Sequence, residues 1–284
     1  MSKLDNLRSI KRIIPARDSM DGAGVKLKRS IGRSEATRID PFLMLDAFSS
    51  ENPDDYLAGF PPHPHRGFET VTYMLDGHMI HRDHMGNEGD LRAGGVQWMK
   101  AGRGVIHEER PQRVDGLMRG FQLWINLPAA EKMQPASYQN IEPEEVSQLI
   151  GEGYQLKVVA GEINLEGQAL KGPVQNSATE PMYCDLQLDA DKEIELPLPE
   201  SHNAAIYLFE GEAEVAGELI DQHQVSELSE GKGVVIKAQS DSRMLILAGK
   251  PIGEPVVQYG PFVMNTMAEI EQALTDYREN RLVS

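Results

Sequence analysis

Along most of this chain, short runs of alternating or continuously apolar residues follow one another, punctuated by Gly, Pro, Asn and Asp. Phe68-Glu69-Thr70-Val71-Thr72-Tyr73-Met74, Gly95-Val96-Gln97-Trp98-Met99 and Phe121-Gln122-Leu123-Trp124-Ile125-Asn126-Leu127 read as strands. Asp76-Gly77, Gly94-Gly95 and Gly102-Arg103-Gly104 read as the turns between them. Many short strands with glycine-rich turns predict an all-β sandwich or barrel. A break falls near Leu127-Pro128, followed by polar residues and a predicted helical turn over 143–150. A second strand series runs from about Leu156 to Val257 and includes Ala204-Ala205-Ile206-Tyr207-Leu208-Phe209 and Met244-Leu245-Ile246-Leu247-Ala248. The chain closes with a predicted helix at about 266–279. Thr266 and Glu269 form its capping box, and Met267, Ile270, Leu274 and Tyr277 its apolar stripe. One device recurs, a strand, a glycine turn and a strand, at Tyr73…Gly77…Ile80 and Tyr207…Gly211…Val215. It points to a duplicated barrel, with an N-terminal copy expected at 1–130 and a C-terminal copy at 131–284.

Composition narrows the class. At 284 residues, 40% hydrophobic and 25% charged, the chain has room for one large or two modest domains, each with its own core. No apolar run approaches the roughly 20 residues that span a bilayer. The basic N-terminus lacks a continuous apolar segment, and Cys184 is the single cysteine, so a reducing, cytoplasmic location is expected without membrane association. The net charge of −16 is concentrated: residues 141–230 carry 20 Asp+Glu and 3 Lys, against 24 Asp+Glu and 25 Lys+Arg elsewhere. So acidic a surface repels phosphate backbones, which argues against direct nucleic-acid binding and leaves a docking face for a protein partner open.

Candidate chemistry sits in two dyads, His63-Pro64-His65 and His107-Glu108-Glu109. Side chains two apart on a strand share a face, so a hairpin-type return would gather three imidazoles and one carboxylate. Parity selects Glu109 over Glu108, and Pro64, lacking an N–H, confines the first dyad to a sheet edge or strand start. Such a set leaves a divalent ion with net charge about +1 and with open positions. With no cysteine in this half, closed structural zinc is disfavoured and an oxygen-reactive ion is favoured, Fe(II) first, with Mn, Ni, Cu, Co or Zn as alternatives. His78, His81 and His84 lie between the dyads in a stretch that reads as a polar loop, and Glu69 follows His65 by four residues as a competitor to Glu109. Phe68, Trp98, Met99 and Phe121 are candidate apolar wall or plain core. Arg66, Lys100 and Arg103 flank the site as ordinary surface charge or a docking patch.

The segments Asp40-Pro41-Phe42-Leu43-Met44-Leu45-Asp46, Phe60-Pro61-Pro62-His63-Pro64-His65-Arg66-Gly67-Phe68-Glu69-Thr70-Val71, Gln97-Trp98-Met99-Lys100-Ala101-Gly102-Arg103-Gly104-Val105-Ile106-His107 and Phe121-Gln122-Leu123-Trp124-Ile125-Asn126-Leu127-Pro128 resemble the pirin family of the cupin superfamily. The match is dense from about 40 to 128 and diffuse afterwards, although Gly260-Pro261-Phe262-Val263-Met264-Asn265 resembles the family's closing segment. The resemblance implies a bicupin, two stacked antiparallel cupin β-barrels of jelly-roll type with a short C-terminal helix, and metal in the N-terminal barrel only. It carries the family's ligands onto His63, His65, His107 and Glu109, which agrees with parity and decides against Glu69. The family usually holds iron. It includes quercetin 2,3-dioxygenases, which open flavonols with O2 and release carbon monoxide, and also proteins described as transcriptional cofactors or partners of metabolic enzymes. The expectation is therefore a metal-dependent dioxygenase of quercetin-like flavonols with Glu109 as candidate general base. The alternative is an iron-binding regulatory protein without enzymatic activity.

Overall fold

The structure is a computed structural model, and it describes residues 4–113, 116–175 and 177–284. It is a bicupin, built almost wholly of antiparallel strands with a single C-terminal α-helix among the described residues. The chain divides into two compact units, and neither is a consecutive half. One contains Asp18–Arg29, Phe42–Pro143 and Ile252–Ser284; the other contains the N-terminal stretch up to Arg17, Ser30–Pro41 and Glu144–Pro251. The expected cut at 130/131 falls inside the first of these, because strand Ser137–Ile141 returns to pair with Val96–Lys100. A strand joins whichever edge its pattern complements, and Ile10–Pro15 accordingly pairs with Gln224–Leu228 in the second unit.

Both units use one topology. In the first, a seven-stranded sheet runs Ser137–Ile141, Val96–Lys100, Phe68–Asp76, Met118–Asn126, Phe42–Ser50, Val25–Arg29, Arg17–Asp21. It is accompanied by a four-stranded sheet in the order Phe60–His65, Val105–Pro111, His78–Asp83, Glu88–Arg92. In the second, the large sheet runs Ile10–Pro15, Gln224–Leu228, Asn203–Glu210, Ser242–Gly249, Met182–Leu188, Tyr154–Ala160, Ser147–Gly151. Its small sheet runs Glu193–Pro197, Gly233–Ala238, Ala213–Val215, Glu218–Ile220. The strand–glycine–strand device occupies the same place in each, at Gly77 (φ +92°) and Gly211 (φ +78°), a backbone region that glycine adopts without steric cost. Each central strand leading into that turn is buried along nearly its whole length, which explains its near-continuous apolar sequence.

The second unit is filled by one apolar cluster that includes Leu156, Cys184, Leu186, Ile206, Leu208, Met244 and Ile246. The predicted helical turn over 143–150 is shorter than expected. Only Pro143–Glu145 turns, and Ser147–Gly151 continues as an edge strand against Tyr154–Ala160. The closing helix spans Met267–Arg278 with the predicted Thr266/Glu269 capping box, and it buries Ile270 and Ala273 beside Phe262, Met264 and Leu282.

Candidate metal centre

Strand Phe60–His65 is the edge of the four-stranded sheet, and its register against Val105–Pro111 sets His63 directly opposite His107. Three of its six residues are prolines, which cannot donate to a ladder and are tolerated at an edge. The register slips here. From His63 to Phe60 the edge strand takes three steps, while its partner takes two from His107 to Glu109, so the extra residue falls at Pro61-Pro62. A bulge of this kind turns neighbouring side chains out of the regular pleat. The regular register thus sets the first dyad beside His107, and the bulge beyond it leaves Glu109 opposite Phe60.

His63, His65 and His107 each offer a ring nitrogen to one point, and these three atoms lie within 4.8 Å of one another. The rings stand 4.3–4.8 Å apart between centroids. Hydrogen bonding selects the donor atoms. Nδ1 of His63 is 2.9 Å from the Pro61 carbonyl, which can only accept, so this nitrogen carries the proton and Nε2 is bare. Nε2 of His107 and Nδ1 of His65 are buried without a hydrogen-bond partner. Unpaired nitrogens in a dry interior are costly unless something fills the space between them. Burial lowers the pKa of His63 and drives those of His65 and His107 well below the usual histidine value. The imidazoles are therefore neutral, the form that binds a cation.

His81, read from sequence as part of a polar loop, is a corrected expectation. It lies on strand His78–Asp83, is 1% exposed, and its Nε2 is 2.5 Å from Nδ1 of His107. For Nε2 of His107 to be bare, Nδ1 must hold the proton and donate it to His81, so His81 sets the tautomer and the ring plane of His107. His78 contacts Asp90, and exposed His84 accepts from the Ile106 N–H at 3.3 Å; neither joins the cluster.

Glu109 shares the inward face with His107, as parity requires, and stands opposite His81 across the ladder. Its carboxylate lies outside the group formed by the three histidines. Oε1 is 3.2 Å from Thr72 Oγ1, which is in turn 2.5 Å from Gln122 Oε1. Burial pushes the Glu109 pKa up to about 7. Glu69 is buried but points to the opposite face of its sheet, since Thr70 and Thr72 occupy the inward positions.

The pirin family model matches residues 24–125, and the model of the pirin C-terminal cupin domain matches residues 183–283. A Pseudomonas aeruginosa protein, provisionally named a quercetin 2,3-dioxygenase, is 52% identical over 97% of this chain and 98% of its own. This chain belongs to the pirin family. A Caulobacter vibrioides pirin-like protein is 44% identical, covering 97% of this chain and 99% of its own. A crystal structure of quercetin 2,3-dioxygenase from Acinetobacter baumannii superposes with a TM-score of 0.90 at 33% identity, covering 98% of this chain and 99% of that one.

In this pirin, the walls beside the histidines differ from the expected set. Phe68 packs against His65 at 5.1 Å, and Trp124, which sequence reading passed over, does so at 5.2 Å. Met99, paired with Thr70, faces the same interior. Trp98 and Phe121 have the other parity and face away from the centre. Arg66 is 3% exposed and is no docking residue: it donates to the Arg103 carbonyl and, at 2.8 Å, to Asp276 on the closing helix. Lys100 is tied to Glu131 at 2.9 Å. A further buried cation, Lys132, donates to the carbonyls of Gly67 (2.7 Å) and Val263 (3.0 Å) and to Asn126 Oδ1 (2.6 Å). Gly67 itself sits at φ +94°, where a Cβ would meet the Val263 carbonyl at 2.0 Å. The C-terminal segment is thus clamped onto the turn that follows His65.

Proposed function

We propose that this protein is a metal-dependent dioxygenase that opens quercetin-like flavonols with O2 and releases carbon monoxide. The observation that carries the reading is the convergence of three neutral histidines, two of which, His65 and His107, turn a buried nitrogen without a hydrogen-bond partner toward the group. Likeness to proteins named for flavonol oxidation supports the choice of substrate. His63, His65 and His107 would hold the ion, Fe(II) in this proposal, and Glu109, on the same strand face but outside that group, would be its fourth ligand. When bound, such an ion would supply Lewis acidity toward the flavonol 3-hydroxyl and redox chemistry toward dioxygen.

The protein's own contribution is orientation, proton handling and dryness. His81 fixes the His107 ring by accepting its Nδ1 proton. Glu109, on loosening from the ion, is the candidate general base for the 3-hydroxyl. Thr72 lies within hydrogen-bond reach of that carboxylate. Phe68 and Trp124 exclude water from the His65 side.

The test is oxygen uptake and carbon monoxide release by protein reconstituted anaerobically with Fe(II) and given quercetin, beside His107→Ala. The variant is expected to lose both metal and turnover. A variant that has lost its metal yet degrades quercetin at the wild-type rate would refute the proposal.

A further inference from the structure

Directly opposed residues in a β-ladder point to the same side of the sheet, so cross-strand pairs can be followed as a row. In the histidine-bearing unit one such row reads Arg29↔Asp46↔Gln122↔Thr72↔Gln97↔Asn140 across six strands. Thr72 touches Glu109, so the row faces the interior beside the metal centre. The adjacent row, Met44↔Trp124↔Thr70↔Met99, carries the wall at His65, and on the other side lies an apolar layer with Phe48, Met74 and Met79. A polar layer is thus enclosed between two largely apolar ones.

The second unit supplies an internal control. Its large sheet has the same strand order, and its Gly211 turn aligns Tyr207 with Tyr73 and Ile206 with Thr72. The corresponding row there is Val158↔Cys184↔Ile246↔Ile206↔Ser226, buried and largely apolar. The fold therefore fills this level with hydrocarbon when no site is present. Polar residues concentrate at it in the unit that carries the histidines.

Their chemistry is specific. Arg29 spends Nε and Nη2 on both Asp46 oxygens (2.7 and 2.6 Å) and reaches Asp21 with Nη2 at 2.7 Å, so the one cation at that end is already engaged by two carboxylates. Gln97 gives its amide nitrogen to Tyr138 Oη at 2.6 Å and Asn140 Oδ1 at 3.3 Å. Gln122 is different. Its carbonyl oxygen is held by Thr72, while its amide nitrogen has no hydrogen-bond partner among the described residues. Gln122 and Arg29 are partly exposed although they face inward, so solvent reaches this layer. A neutral amide beside an arginine already engaged by two carboxylates suits uncharged hydroxyls rather than a carboxylate or phosphate.

We propose that this polar row, with Gln122 as its open member, is a specificity surface that receives phenolic hydroxyls of an aromatic substrate remote from the atoms bound at the metal. The inference rests on the flavonol reading and deepens it, by selecting polyhydroxylated flavonols over bare ones. The probes are quercetin and 3-hydroxyflavone, which share the 3-hydroxy-4-keto pair but differ in every other hydroxyl. Binding of each to the metal-loaded protein is measured anaerobically by absorbance and fluorescence titration, for wild type, Gln122→Leu and Gln122→Asn. Wild type is expected to prefer quercetin, and Gln122→Leu to reduce that preference about tenfold, the effect of one hydrogen bond. Gln122→Asn, which keeps a shortened amide, is expected to fall between and reads the same ratio should the leucine variant fail to fold. An unchanged preference in both variants overturns the specificity surface while leaving the flavonol reading intact. Wild-type protein that holds metal and binds neither flavonol overturns both.

Discussion

Glu109 gives the sharpest test of the centre's electrostatics, because its predicted cost appears only when no metal is bound. Its carboxyl is held near 7 by burial, against 4.5 for an exposed glutamate. The folded protein therefore keeps a proton that the unfolded chain releases, and each rise in pH between 4.5 and 7 removes stability. The cost is absent below that window and complete above it. At about 1.4 kcal/mol per pH unit of displacement it amounts to roughly 3 kcal/mol at pH 8. Glu109→Gln is neutral throughout and escapes it.

The assay is thermal unfolding of metal-free wild type and Glu109→Gln at pH 5 and pH 8. Depressed histidine pKa values act in the opposite sense: the unfolded chain protonates first, so acidification below about 6.5 destabilises both proteins and cancels in the comparison. The variant should gain on wild type by about 2–3 kcal/mol between pH 5 and pH 8, or roughly 5–10 °C for a domain of this size. Adding metal should reverse the order, since the variant has lost the proposed fourth ligand. A difference in melting temperature that does not change between the two pH values would refute the buried-carboxyl argument.

Two other substitutions probe the supports of the centre. His81→Leu removes the acceptor for the His107 Nδ1 proton and should weaken metal binding about 10–100-fold, measured by chelator competition, with His81→Gln recovering much of the loss; equal affinities in all three would show that His81 does not orient His107. Lys132→Met strips the donor from three buried acceptors, at Gly67, Asn126 and Val263, and should cost about 3–5 kcal/mol by denaturant unfolding; a loss below about 1 kcal/mol would mean that the clamp contributes little.

What could be read from the sequence, and what could not, follows from how far each feature reaches along the chain. The dyads were legible because strand parity acts over two residues: His63 with His65, and His107 with Glu109, need no knowledge of a partner strand. Pro64 marked an edge for the same local reason, and strand Phe60–His65 is an edge. Parity failed where both faces of a strand are buried. Val96–Lys100 is buried at four consecutive positions, so nothing local distinguishes Met99, which faces the histidines, from Trp98, which does not. His81 was hidden by its surroundings. The residues after it form a polar turn, yet its burial depends on standing opposite Glu109 in a three-strand register. The polar row lies further still beyond local reading, since Arg29, Asp46, Thr72, Gln97 and Gln122 occupy five strands and become neighbours only through pairing. The duplicated turns at Gly77 and Gly211 supply the route to it. Once two strands are aligned on their glycines, Ile206 and Thr72 at one register position show the level that the second barrel fills with hydrocarbon and the first lines with polar side chains.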